Sequence, residues 1–255
     1  MLNTIDRTGR VLNLFTAEAP EWGVTAVAAA LGLPKSTTFD ILTSLAEIGL
    51  LQQTSGDRYR LGWRLLAISR RLMSSSCFNA HTHHTVTGLA KHLSATVTIG
   101  AWDGQGVVCI ASGSASRTPP VLTEGTHLSG HASALGKLLM AQLSWAKVQE
   151  RIDRYGLPAL TANTVGDADG FRTQLSNVHQ RGFAIEHGEA VIGHSCIAVG
   201  LYECERRMIA ALSICTPSTT MRARQDEYVR IAQRTARTLL QHDASPKRQP
   251  PYCAT

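Results

Sequence analysis

Residues 20–62 read PEWGVTAVAAALGLPKSTTFDILTSLAEIGLLQQTSGDRYRLG, and the spacing of apolar and turn-forming residues in this stretch decides the fold of the N-terminal part of the chain. Thr25 precedes the apolar run 26–31 as an N-cap, and Gly32 stands where a helix stops in the left-handed region. Pro34, with its φ already set, opens the next helix. There Ile41, Leu42, Leu45 and Ile48 share one face, and Gly49 supplies the stop. Residues 50–53 and 59–61 are short extended segments. The polar, Gly-bearing connection 54–58 suits a hairpin between them. Upstream, Val11, Leu12, Leu14 and Phe15 recur at helical spacing over residues 7–15, until 19–23 break the pattern. Three helices with a tight Gly turn between the last two, followed by a hairpin, make a winged helix-turn-helix over residues 1–62.

The outer face of the third helix is assigned Lys35, Ser36, Thr37, Thr38, Asp40 and Ser44, short hydrogen-bonding groups suited to base edges and phosphates in a major groove. Its N-terminus presents unpaired N–H groups to phosphate, and Arg58 on the wing reaches the flanking backbone or minor groove. Any amphipathic helix has a polar outer face. The order helix, helix, Pro-started helix, hairpin is what points to double-stranded DNA. Residues 1–75 carry eight Lys and Arg against six Asp and Glu, a net of +2. So weakly basic a domain binds DNA poorly alone at physiological salt. Dimerisation doubles the contacts and predicts a palindromic operator.

The rest of the chain bounds the class of protein. With 255 residues, 44% of them hydrophobic, it can bury a core in each of two domains. Residues 63–77 read as a linker helix closed by a flexible Ser74-Ser75-Ser76. Residues 78–244 mix helix and strand in an α+β pattern, and the Pro-rich 245–255 read as a disordered tail. In that second domain, strands are expected near 96–101, 106–112, 183–186, 196–202 and 208–215, with helices at 86–92, 132–143, 171–181 and 224–241. The formal charge of +6 permits a polyanionic partner. Six scattered cysteines without a C-x-x-C pair suggest reduced thiols. The N-terminus lacks a signal peptide's apolar core and no run is long enough for a membrane span, so a soluble, cytoplasmic protein is expected, with no membrane partner.

Several stretches resemble the IclR family of bacterial transcription regulators. The segments RVLNLF (10–15), LPKST (33–37), LAEIGLL (45–51) and YRLG (59–62) look like that family's winged helix. HASALGKLLMA (131–141), RGFAIE (181–186) with Glu189, and GHSCIAV (193–199) resemble motifs of its second domain. The resemblance implies a GAF-like effector-binding domain for a small organic molecule, often a carboxylate or aromatic acid. It also implies a homodimer or tetramer and, by family habit, repression. Carried over by position, the effector site comprises Ala134, Leu135, Glu186, Cys196, Ser213 and Cys215. This sequence departs from the family in two places. Asp40 replaces a common arginine on the recognition helix and can accept from cytosine N4. Leu135 and Cys215 make the pocket less polar than one built for a small keto acid, which favours an aromatic acid.

Rival chemistries are weaker. Cys196 beside His194 and Ser195 suggests a thiol nucleophile, yet strand neighbours point to opposite faces, so a small-molecule enzyme is the alternative and not the main reading. His81, His83 and His84, with His92, lack a second ligand pair at zinc spacing and read as a solvated helix start; no metal is expected. Arg222, Arg224, Arg230, Arg234 and Arg237 read as a solvated face. The segment 117–122 reads as a rigid loop. No Gly-rich nucleotide motif is complete, so no cofactor is expected.

Overall fold

The computed structural model describes residues 3–78, 80–115, 122–203 and 207–241. The expected tail 245–255 and most of the 117–122 loop lie outside these residues. The chain divides into two compact units, one up to Ser76 and one from Cys77.

The first unit runs α1 (Asn3–Leu12), β1 (Glu21–Gly23), α2 (Val24–Leu31), α3 (Lys35–Glu47), β2 (Leu51–Thr54), β3 (Arg58–Leu61) and α4 (Arg64–Ser75). Its core joins Val11, Phe15, Val27, Ile41, Leu42, Leu45, Leu51 and Tyr59, so the apolar stripes of the helices and the inward residues of the hairpin meet. Gly32 takes φ +65 after α2, and Gly49 takes φ +76 after α3, conformations that a β-carbon disfavours.

Three local expectations change. The wing has a third strand, because β1 pairs antiparallel with β3, Trp22 facing Tyr59, to give the order β1-β3-β2. Trp22 Nε1 donates to Leu14 O at 2.8 Å, which anchors what reads in sequence as a mere break. Because β1 ends at Gly23, that residue is the N-cap of α2 and Thr25 lies inside the helix. Ser74 and Ser75 belong to the last turn of α4, not to a flexible stretch. Their hydroxyls donate to Arg71 O and Leu72 O at 3.0 Å, satisfying carbonyls at the helix end.

The second unit runs α5 (Ala80–Leu93), β4 (Thr96–Trp102), β5 (Val107–Ser114), β6 (His127–Leu128), α6 (Ala134–Met140), α7 (Trp145–Tyr155), α8 (Ala168–Arg181), β7 (Phe183–His187), β8 (His194–Tyr202), β9 (Met208–Pro217) and α9 (Ser218–Gln241). Its strands form one antiparallel sheet in the order β6-β5-β4-β9-β8-β7.

Strand alternation gives this sheet two unlike faces. One carries Val97, Ile99, Ile197, Val199, Leu212 and Ile214, all buried. Here α5 packs so closely that a β-carbon on Gly113 would meet the backbone of Thr87 at 2.8 Å. Here too α9 begins, with Ser218 Oγ 2.9 Å from Ser195 Oγ. The opposite face carries Glu186, Cys196, Cys215, Thr96 and Ser114 in one row across five strands, and Ala184, Ala198, Ser213, Thr98 and Ser112 in the next. Helix α6 covers that face, its Ala134, Leu135, Leu138 and Leu139 packed with Ala184, Ala198 and Ala211.

Candidate DNA-reading surface and effector face

On α3 the side chains of Lys35, Ser36, Asp40 and Ser44 are exposed and that of Thr37 is half-buried. Thr38 is misplaced by the sequence reading. It is fully buried, and its hydroxyl donates to Pro34 O at 3.0 Å. At about 100° per residue, Thr38 shares the inward face with Ile41, Leu42 and Leu45, three, four and seven positions on. Two exposed residues escaped that reading, Phe39 and Glu47, which join Ser36 and Asp40 on the outward side. Pro34, the N-cap, has the extended ψ of 142°, and no side chain caps the helix, so its first N–H groups are left to solvent or a ligand.

The wing's guanidinium groups are tied down. Arg58 donates to Glu21 O at 2.8 Å and pairs with the Glu21 carboxylate at 3.8 Å, which fastens the hairpin to β1. Arg60 donates through Nε and an amino group to Gln52 Oε1, at 3.2 and 3.1 Å, across the ladder.

In the second unit the fold brings all six expected effector residues together. Glu186, Cys196 and Cys215 are neighbours in one row, Ser213 lies in the next, and Ala134 and Leu135 begin the helix above. A β-carbon on Gly100 would meet Leu135 Cδ1 at 3.2 Å, so the glycine makes room for the leucine. Ser133 caps α6 by accepting from Gly136 N at 3.0 Å.

Around this face lies a buried ionic cluster that sequence reasoning missed. Lys137, fully buried one turn into α6, donates to the Glu189 carboxylate, which also accepts from Val165 N at 3.3 Å. Glu189 N donates to Glu186 Oε2 at 2.8 Å. Burial lowers the pKa of Lys137 and raises that of Glu186. The signal was present, since Lys137 and Glu189 both sit within the quoted motifs, yet a lysine in the motif's apolar helix reads as solvent-facing. Thr96, Thr98, Ser112 and Ser114 were missed as well. Their hydroxyls pair across β4 and β5 at 3.2 and 3.3 Å, and strand alternation alone would have placed them on this face.

The surroundings of the half-buried Cys196 disfavour its thiolate. Its hydrogen bond with Cys215 and its burial hold its pKa well above the ordinary thiol range, and the Glu186 carboxylate adds to the effect. His83 Nδ1 lies 3.3 Å from Glu124, while His81 and His84 are exposed. Among the described residues no three His, Cys, Asp or Glu side chains gather as a metal site, and no helix is long and apolar enough to cross a membrane.

Known proteins match this arrangement along the chain. Residues 4–55 fit the profile described as the IclR helix-turn-helix domain, and residues 72–240 that of the bacterial transcriptional regulator IclR C-terminal domain. The HTH-type transcriptional regulator XynR of Escherichia coli K12 is 28% identical over 218 residues, covering 85% of this chain and 86% of its own. The transcriptional repressor IclR of the same organism is 27% identical over 198 residues, covering 76% and 72%. A crystal structure of an IclR homologue from Microbacterium hydrocarbonoxydans, complexed with 4-hydroxybenzoate, shares the fold with a TM-score of 0.69 at 22% identity, covering 94% of this chain and all of that one. The winged helix and the α6-covered sheet therefore belong to a DNA-binding transcription regulator, and the chain is a member of the IclR family.

Proposed function

We propose that this regulator is a cytoplasmic repressor. In this reading it binds a palindromic operator as a homodimer or dimer of dimers and is released or engaged by a small aromatic carboxylic acid held on the α6-covered face of the second unit. The observation that carries the effector reading is the row Glu186, Cys196, Cys215 and Thr96 beneath Ala134 and Leu135. Donors and acceptors stand there amid small apolar walls, which suits a flat acid with one polar edge. The 4-hydroxybenzoate bound by the Microbacterium homologue supports the aromatic class, and the occurrence of repressors among the relatives supports the sign of regulation.

DNA contacts fall to Lys35 and Ser36 on phosphate at the helix start, and to Thr37, Asp40 and Ser44 along the major groove. Asp40 accepts from cytosine N4, and Arg58, once freed from Glu21, enters the flanking minor groove. Helix α4 supports an oligomer. It buries none of its side chains, and Trp63 at its N-cap, Leu66, Ile68 and Leu72 are exposed. A solvated helix of twelve residues is marginal without a partner surface.

Binding of the full-length protein to DNA upstream of its own gene, with and without 4-hydroxybenzoate and related benzoates, tests the reading. A sequence-specific shift that an aromatic acid alters supports it. A specific shift that responds only to aliphatic keto acids overturns the effector class, and no specific shift under any condition overturns the whole.

A further inference from the structure

We infer that Phe39 reads a thymine in the operator by covering its C5 methyl group in the major groove. Phe39 lies on α3 one turn beyond Lys35 and Ser36 and next to Asp40, with 52% of its surface exposed. The other large apolar side chains of that helix, Ile41, Leu42 and Leu45, are buried. At about 100° per residue, Phe39 stands about 110° from the middle of that buried stripe, on the flank of the outward face. It is therefore not a core residue that has slipped outward, but an aromatic ring presented beside the polar reading groups.

The surroundings of the ring select its partner. Phe39 forms one wall of a surface hollow of about 1130 Å³, shared with Trp22, Gly23, Gln53 and Arg58. Glu18, Glu21 and Asp57 also line this hollow, with Arg58 as the one cationic residue of the lining, itself paired with Glu21. Such a flank offers phosphate one cation, already paired, whereas an apolar base edge needs none. Of the groups that base pairs present in the major groove, the thymine methyl is the apolar substituent that projects furthest, beyond the bare C–H edge of cytosine. Phe39 and Asp40 would then divide the recognition, the ring selecting thymine and the carboxylate selecting cytosine.

The inference rests on the DNA binding proposed above, which binding of the wild-type protein to the unmodified operator tests separately. Within the footprinted operator, each thymine is replaced in turn by deoxyuridine, which lacks only the methyl group. The dissociation constant is then measured for the wild type, Phe39→Ala and Phe39→Leu. Loss of a buried methyl is worth about fourfold in affinity, so the wild type should weaken by about that factor at one thymine per half-site. Phe39→Ala should bind thymine and uracil operators alike, and Phe39→Leu should keep part of the difference. The inference is overturned if no thymine is methyl-sensitive in the wild type, or if Phe39→Ala keeps the sensitivity. It is likewise overturned if Phe39→Ala weakens both operators equally while light scattering shows a changed oligomer, since the ring would then face a second copy of the chain. Because the ring is half exposed, unchanged circular dichroism and melting are expected of both variants.

Discussion

Lys137 and Glu189 meet with almost no solvent around them, so each is stabilised as an ion chiefly by the other. Glu189→Gln leaves the ammonium without its counter-charge and should cost roughly 3 kcal/mol of unfolding free energy in a urea titration. The double variant Lys137→Met, Glu189→Leu removes both charges and should recover most of that loss. A double variant as unstable as the single one would mean that the pair acts through its hydrogen bonds to neighbouring backbone and not through its charges. Glu186 carries a different prediction. Its folded-state pKa is raised above the ordinary 4.5 by burial, so the folded form holds the proton more tightly than the unfolded one. Stability is then undiminished below pH 4.5 and falls as pH climbs from there through the raised value. Glu186→Gln removes this dependence. Its stability relative to the wild type, read by denaturant titration at several pH values, should therefore improve as pH rises above 4.5, and a difference constant with pH would refute the assignment.

At the scale of elements, the proposed phosphate contacts of Lys35 and Ser36 lie at the uncapped N-terminus of α3. Lys35→Ala should weaken binding about equally on specific and nonspecific DNA and lower the salt slope by about one unit. An unchanged slope from a salt series of gel shifts would remove Lys35 from the phosphate contacts. How far such elements can be read from sequence depends on what each one buries. Helices α2 and α3 and the hairpin were legible because apolar spacing and glycines at positive φ act locally. Thr38 was misread because a threonine whose hydroxyl returns to the carbonyl four residues back is as easily buried as valine. Strand β1 was illegible, since three residues carry no periodicity and the strand exists by pairing with β3, more than thirty positions away. Helix α7 went unread because Val148 is its only buried side chain among mostly polar residues. In the second unit the strands other than the two-residue β6 were legible as apolar runs, but that Glu186, Cys196 and Cys215 share a row follows from register, which no single strand encodes.

For the whole molecule, the balance of charge and exposed apolar surface argues for assembly. A net charge of +2 over residues 1–75 gives one copy few phosphate contacts, and the same unit exposes Ile68 and Leu72 on α4, 45% and 65% accessible and four residues apart. Both facts are met if α4 packs against its counterpart in a second copy, because that buries the leucine and isoleucine and joins two reading helices into one binding event. Replacing Ile68 and Leu72 together by Glu places like charges face to face across such a contact without touching the core of either unit. The double variant should scatter light as a monomer and lose helical signal from α4, which no longer has its partner surface, while the cores of both units stay folded. It should bind a full operator on the order of a hundredfold more weakly, because the second half-site no longer adds its effective concentration. Its affinity for an isolated half-site should be that of the wild type, which separates lost assembly from a damaged reading helix. A variant that keeps its oligomeric state and its operator affinity would show that α4 is not the contact.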